Sequence, residues 1–377
     1  MEIIIAGDYC DRFRVSETIV SKKYNTLFSK GILDAITQSD YAIVNFEFPI
    51  VRSEGSPISK CGPNLKGSLD SVEAIKFAGF GCCTLANNHT LDQGEKCGIE
   101  TREIIEEAGL DTIGFGLNAL DASKTLYKRI GGKILAIINC CEHEFSVATE
   151  SRAGANGIDP IRQYHCILEA KQKADYVLVI THGGHEHFNL PSLRMKELYR
   201  FFIEIGADAV INHHQHCYSG YEVYQGKPIF YGIGNFLFDN PSHRNSFWNY
   251  GYMVKLIFDR NELSFVVIPY SQCREKACVE LLTDTEQIVF KEQLMTLNDI
   301  ITDDLELKNS LSDYYTKSAT NELDILEPYS GRVMSKLLGM KLVPRFIKNK
   351  KVPAILNHVE CESHRDKLIF ALTNKNK

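Results

Sequence analysis

Short apolar runs, each breaking off in polar residues, recur through the first two-thirds of the chain and restrict its fold more than any other feature. The runs at 3–6, 41–46, 81–85, 134–139, 176–180, 209–211 and 228–231 are short and apolar, and most are rich in β-branched and aromatic residues, as buried strands are. Amphipathic segments at 69–78, 98–108, 161–173 and 192–205 fall between several of them. A strand that is apolar on both faces needs cover on both, so the alternation predicts sheets covered by helices, an α/β fold. Runs at 252–258 and 262–269 flank Asp259-Arg260-Asn261 and predict a hairpin. Beyond about residue 271 the pattern turns helical and more polar, at 286–301, 305–317, 331–338 and 352–372, with Pro328, Pro344 and Pro353 as punctuation. The expected organisation is a domain over 1–270 and a helical C-terminal extension over 271–377.

Charge and cysteine usage narrow the class. A formal net charge of −6 offers no general attraction to phosphate backbones, so nucleic acid is not an expected partner. The opening Met1-Glu2-Ile3-Ile4-Ile5-Ala6-Gly7-Asp8 lacks a cationic start, and its apolar run is too short for a secretion signal. No run approaches the length of a membrane span, and a cytoplasmic location is expected. Twelve cysteines are scattered, two pairs of them adjacent (Cys82-Cys83 and Cys140-Cys141), which suits reduced thiols better than a disulfide framework. The mixed basic and apolar stretch 341–351 could touch an acidic lipid surface or an anionic polymer, against the blander reading of a solvated basic edge or linker. His358 and His364 read as surface residues, and the oligomeric state is not legible.

The chemistry lies in where the strands end. The first run leads into Asp8, Tyr9 and Cys10, the second into Asn45, Phe46 and Glu47, and the third into Asn87, Asn88, His89 and Asp92. Later runs lead into His182, His185, Glu186 and His187, and into His213, His214, Gln215 and His216. Ligands of open α/β sheets bind where the carboxyl ends of strands converge. Carboxylate, imidazole and amide side chains gathered there are the donors that Mn²⁺, Fe or Zn²⁺ take. Any one of these residues alone reads as a turn or cap residue. Five strand ends with the same chemistry point to a metal site.

In order and spacing these blocks resemble the poly-γ-glutamate capsule-synthesis (CapA-type) family, a branch of the calcineurin-like metallophosphoesterase superfamily. The matching blocks are Ala6-Gly7-Asp8, Ala42 to Glu47, Ala86-Asn87-Asn88-His89 with Asp92 and Gly94, and His182-x-Gly184-x-Glu186. The last runs from Gly206 through His214-x-His216 to Gly234-Asn235-Phe236. The resemblance implies a four-layer α/β/β/α sandwich and two divalent metal ions. It implies Glu47 as the bridging carboxylate, Asp8 and His216 at one ion, and Asn88, His182 and His214 at the other. His89 and Glu186 are the implied catalytic side chains, with Asn45, Asn87, Asp92, Asn235 and Cys10 around them.

Three departures stand out. The superfamily's first motif carries His where this chain has Cys10, which is open to two readings, a soft thiolate ligand or, preferably, a buried thiol. Gly183 replaces an aromatic, removing a pocket wall, and Gln215 replaces a proline, which is expected to loosen its loop. The implied function is a metal-dependent hydrolase of a phosphoester or anionic polymer linked to capsule or exopolysaccharide metabolism. The alternatives are a γ-glutamyl amide hydrolase or transferase, and a non-catalytic component of capsule assembly.

Overall fold

The computed structural model describes residues 1–377 except 53, 260–261, 328–330, 341, 345–346, 348 and 374–377. The chain divides into two compact units, Met1–Leu307 and Lys308–Lys377. The first unit is built on two sheets. In the larger, the order is Val279–Leu281, Glu262–Gln272, Tyr250–Asp259, Glu2–Cys10, Tyr41–Phe46, Cys82–Thr84, Asp111–Ile113, and Asn235–Phe238 pairs with Glu2–Cys10 as an eighth strand. The second runs Tyr221–Tyr224, Lys227–Phe230, Ala209–His213, Tyr176–His182, Lys133–Cys141, Leu126–Ile130, the middle four parallel.

The sheets face each other through aromatic rings. Tyr176 lies 4.3 Å from Phe258, and Phe265 meets both Phe230 at 5.2 Å and Tyr221 at 5.1 Å. Helices Pro160–Lys173 and Leu193–Glu204 pack on the smaller sheet, and Lys30–Thr37 and Glu95–Glu107 on the larger, so the order of layers is helix, sheet, sheet, helix. The central strands are buried over their whole length, as their unbroken apolar runs require. Local chemistry sets the helix starts: Asp159 accepts from the backbone N–H groups of Ile161 and Arg162 with Pro160 in the first turn, and Ser192 caps through Met195.

The division between units does not fall at residue 270. Val279–Leu281 adds a strand to the edge of the larger sheet, and helix Asp284–Thr302 buries Phe290, Leu294, Leu297 and Ile301 along one face. That spacing is an amphipathic stripe whose apolar side belongs to the first unit. The described residues of the second unit are mainly helical, and the single helix expected over 352–372 is two, Val352–Glu360 and Glu362–Thr373, because Cys361 is extended. The expected hairpin is present, pairing Asp259 with Glu262, while 260–261 of its turn lie outside the described residues. So do 341, 345–346 and 348 of the basic stretch. Among the described residues no helix is long and apolar enough to cross a membrane.

Candidate metal centre

Five of the strand ends named above meet at one place, where the carboxyl ends of the two sheets' parallel strands come together. Asp8 and Asn45 are register partners at the ends of adjacent strands, beside an irregularity between Ala6 and Asp8. His182 ends its strand opposite His213. His214 and His216 follow with φ of 96° and 56°, backbone that costs a non-glycine residue on the order of 1–3 kcal/mol each. Asn212 holds this turn, donating to the carbonyls of Gly183 and Tyr231 and accepting from Thr181 and Tyr199.

Ligand-type atoms of Asp8, Glu47 and His182 all lie within 4.8 Å of one another. Glu47 Oε1 is 3.7 Å from both His182 Nε2 and His216 Nε2, between the two expected half-sites. On one side, His216 Nδ1 is 3.5 Å from Asp8 Oδ2 and 2.9 Å from Asn235 Oδ1. On the other, His182 Nε2 is 3.1 Å from Asn88 Oδ1 and 3.1 Å from His214 Nδ1. Asn45 ties the halves together, with Nδ2 2.8 Å from Asp8 Oδ1 and 3.3 Å from His182 Nδ1. Asn87 donates to the Phe46 carbonyl and accepts from the N–H of His89, shaping the turn rather than facing the centre.

The residues fit a cation. Glu47 is fully buried and, among the described residues, neither of its carboxylate oxygens has a hydrogen-bond partner, and Asp8 Oδ2 has none either. Burying such a group unpaired is strongly unfavourable, and a cation is what relieves it. Burial, and then the charge of Asp8, push the Glu47 carboxyl well above the usual range. Burial also lowers His182 and takes His214 down to about 4, which leaves both rings neutral with lone pairs to donate. At His216 burial is outweighed by the Glu47 and Asp8 carboxylates, and the ring is raised to about 10.

His89 stands beside this group in a dyad: its Nδ1 is 2.6 Å from Asp92 Oδ2, and burial lowers its pKa against that carboxylate's pull. Lys60, absent from the sequence reading, is buried against both, with Nζ 2.5 Å from Asp92 Oδ1 and 3.0 Å from His89 Nδ1. It lies in a loop with no strand to flag it. Glu186 sits at the exposed rim, where neighbouring imidazoles (His216 and His214 foremost) outweigh partial burial and lower its pKa.

The departures resolve physically. Cys10 is a buried thiol, its pKa raised well above normal by burial and then by Glu47. A side chain at Gly183 would meet Glu142 Cγ at 2.5 Å, so glycine makes room for that glutamate. Gln215 does not loosen its turn. It is buried, its amide packs over Gly232, and its carbonyl accepts from the N–H of His187 at 2.8 Å.

Comparison with known proteins adds a family to this geometry. The bacterial capsule synthesis protein family PGA_cap matches residues 2–240, and the chain belongs to that family. A capsule biosynthesis protein CapA of Bacillus anthracis is 34% identical over 247 residues, 63% of this chain and 60% of that one. A PGA biosynthesis protein CapA of Bacillus subtilis (strain 168) is 33% identical over 204 residues, 53% of this chain and 54% of that one. The chain therefore spans between about half and three-fifths of these relatives' lengths. Among solved structures, a 5'-nucleotidase precursor from Thermus thermophilus aligns over 79% of this chain and 58% of that one, with TM-score 0.42 and 12% identity.

Proposed function

We propose that the protein is a metal-dependent hydrolase with two divalent cations (Mn, Fe or Zn), acting on a phosphoester or anionic polymer of capsule metabolism. The observation that carries this reading is the convergence of Asp8, Glu47, Asn88, His182, His214 and His216 around buried carboxylate oxygens that have no hydrogen bond among the described residues. Divalent ions held there would supply Lewis acidity and neutralise charge developing on substrate oxygens. The chain's own residues do the rest. Asn235 Oδ1 accepts from His216 Nδ1, which leaves Nε2 to face a cation, and Asn45 holds Asp8 and lies against the His182 ring. His89, oriented by Asp92, would give a proton to the leaving oxygen from its protonated form, which the Asp92 carboxylate favours against burial. Lys60 pairs with Asp92 and, as a positive charge beside the ring, lowers the pKa of His89. Glu186 at the rim meets what enters.

The names of the two Bacillus relatives favour a second reading, in which the same site cleaves or transfers a γ-glutamyl amide. One screen separates them. Protein loaded with Mn²⁺ is assayed on phosphoester panels and on poly-γ-glutamate, beside His89→Ala and His214→Ala. Phosphoester turnover lost in both variants supports the first reading. Turnover of poly-γ-glutamate alone moves the assignment to the second. Wild type that takes up no metal sinks both and leaves a non-catalytic part in capsule assembly. None of the twelve cysteines forms a disulfide among the described residues and most are buried, and we assign the protein to a reducing, cytoplasmic compartment.

A further inference from the structure

A sixth strand end reaches the centre, and it carries a carboxylate with no role so far. Strand Lys133–Cys141 leads into Glu142, His143 and Glu144, and the segment is pinned to the site's own loops. The N–H of Glu142 donates to the His182 carbonyl at 3.0 Å, and its carboxylate accepts from the N–H of Gly184. Ser146 donates to the Asn88 carbonyl at 2.7 Å and accepts from the N–H of Leu91 at 3.0 Å. Between these anchors, Glu144 Oε2 accepts from Asn88 Nδ2 at 3.4 Å, and Glu144 Oε1 lies 3.5 Å from His214 Nε2.

Those are the outer ends of the two side chains. Their inner ends, Asn88 Oδ1 and His214 Nδ1, each lie 3.1 Å from His182 Nε2. An amide and an imidazole can each present either of two faces to a cation, and only one face of each carries a usable lone pair. A carboxylate accepts hydrogen bonds and donates none. Placed outside both groups, it selects Nδ2 outward for Asn88 and Nε2–H outward for His214, which turns both lone pairs inward. Asn88 comes from the end of one sheet and His214 from the end of the other, the latter in a left-handed backbone conformation that does not hold its ring by itself.

We infer that Glu144 is a positioning residue for the cation site of Asn88, His182 and His214, locking the amide orientation of one ligand and the tautomer of the other. The inference rests on the reading that these three residues bind a cation. Its side chain is about one-third exposed at 34%, so its removal does not open the core.

The test is metal binding, with activity left out. Metal-stripped wild type, Glu144→Ala and Glu144→Gln are titrated with Mn²⁺ by calorimetry, the bound ions are counted by elemental analysis, and the visible spectrum of Co²⁺-loaded protein is recorded. Partners of this kind are worth about 10–100-fold in metal affinity. The expected result is one of two ions weakened by about that factor in Glu144→Ala, with a changed Co²⁺ spectrum and the other ion unaffected. Glu144→Gln keeps one acceptor oxygen and falls between the two. Wild-type affinity for both ions in Glu144→Ala, or equal weakening of both, overturns the role of Glu144 alone. Wild type that binds no Mn²⁺ overturns the parent reading, and this one with it.

Discussion

Replacing Glu47 by Gln is expected to stabilise the protein when cations are removed and to destabilise it when they are present. Both Glu47 oxygens are buried without a hydrogen bond, and the nearest positive group, His216, is 3.7 Å away and retains Asp8 at 3.5 Å as its other partner. An unsatisfied buried acceptor costs about 1–3 kcal/mol, and more when charged. A neutral amide still leaves part of that cost, so the gain in Glu47→Gln is about 2 kcal/mol in chelator. With each ion at a hundred times its dissociation constant, wild type gains about 2.7 kcal/mol per ion by mass action. The variant, without the carboxylate that stands between the half-sites, gains little. The order of stabilities therefore inverts, wild type leading by about 3 kcal/mol for two bound ions. Urea unfolding in EDTA and in excess Mn²⁺ reads this directly, followed by the fluorescence of Trp248, the chain's one tryptophan, whose ring lies 4.7 Å from His216. A variant less stable than wild type by the same amount in both conditions would refute the idea that Glu47 is a carboxylate waiting for a cation.

Gly7→Ala is expected to cost at least about 3 kcal/mol, because its Cβ would sit 1.8 Å from the Gly234 carbonyl oxygen and force apart the strands that carry Asp8 and Asn235. A urea midpoint within error of wild type, with metal content unchanged, would contradict that. Asp239 accepts from Arg14 Nε at 2.9 Å, Nη2 at 2.7 Å and the backbone N–H at 3.1 Å, and these bonds outweigh burial and lower its pKa in the folded state. Its contribution is therefore complete above the unfolded carboxyl's pKa and fades as the pH falls through the folded one. Asp239→Asn should be about 2 kcal/mol less stable at pH 7, and the gap should narrow in acid melts below about pH 4. A gap independent of pH would be inconsistent with this pairing.

How much of this was legible in the chain depends on which interactions decide each feature. The strands at 41–46, 176–180 and 209–211 are readable because burial on both faces demands unbroken apolar runs, and the helix at 161–173 because Asp159-Pro160 marks its start. The edge strands Leu126–Ile130 and Tyr221–Tyr224 are not legible, because short half-exposed strands with polar residues such as Lys128 and Glu222 have no such signature. The boundary expected at 270 moved because the polarity of 284–302 conceals four apolar residues that share one face only once the helix is formed. Glu144 was passed over although it follows a strand that was read, since Glu142-His143-Glu144 on its own looks like a solvated turn.

The sequence by itself determined the alternation of strands and helices and the chemical character of the strand ends, because hydrophobic period and side-chain type are local properties. It could not determine which atoms meet. That Glu47 Oε1 lies equally far from His182 and His216, that Lys60 closes on Asp92, and that Glu144 stands behind both Asn88 and His214 are decided by two sheets packing face to face. Distances of this kind are set by the packing of residues tens of positions apart, and no run of neighbouring letters records them.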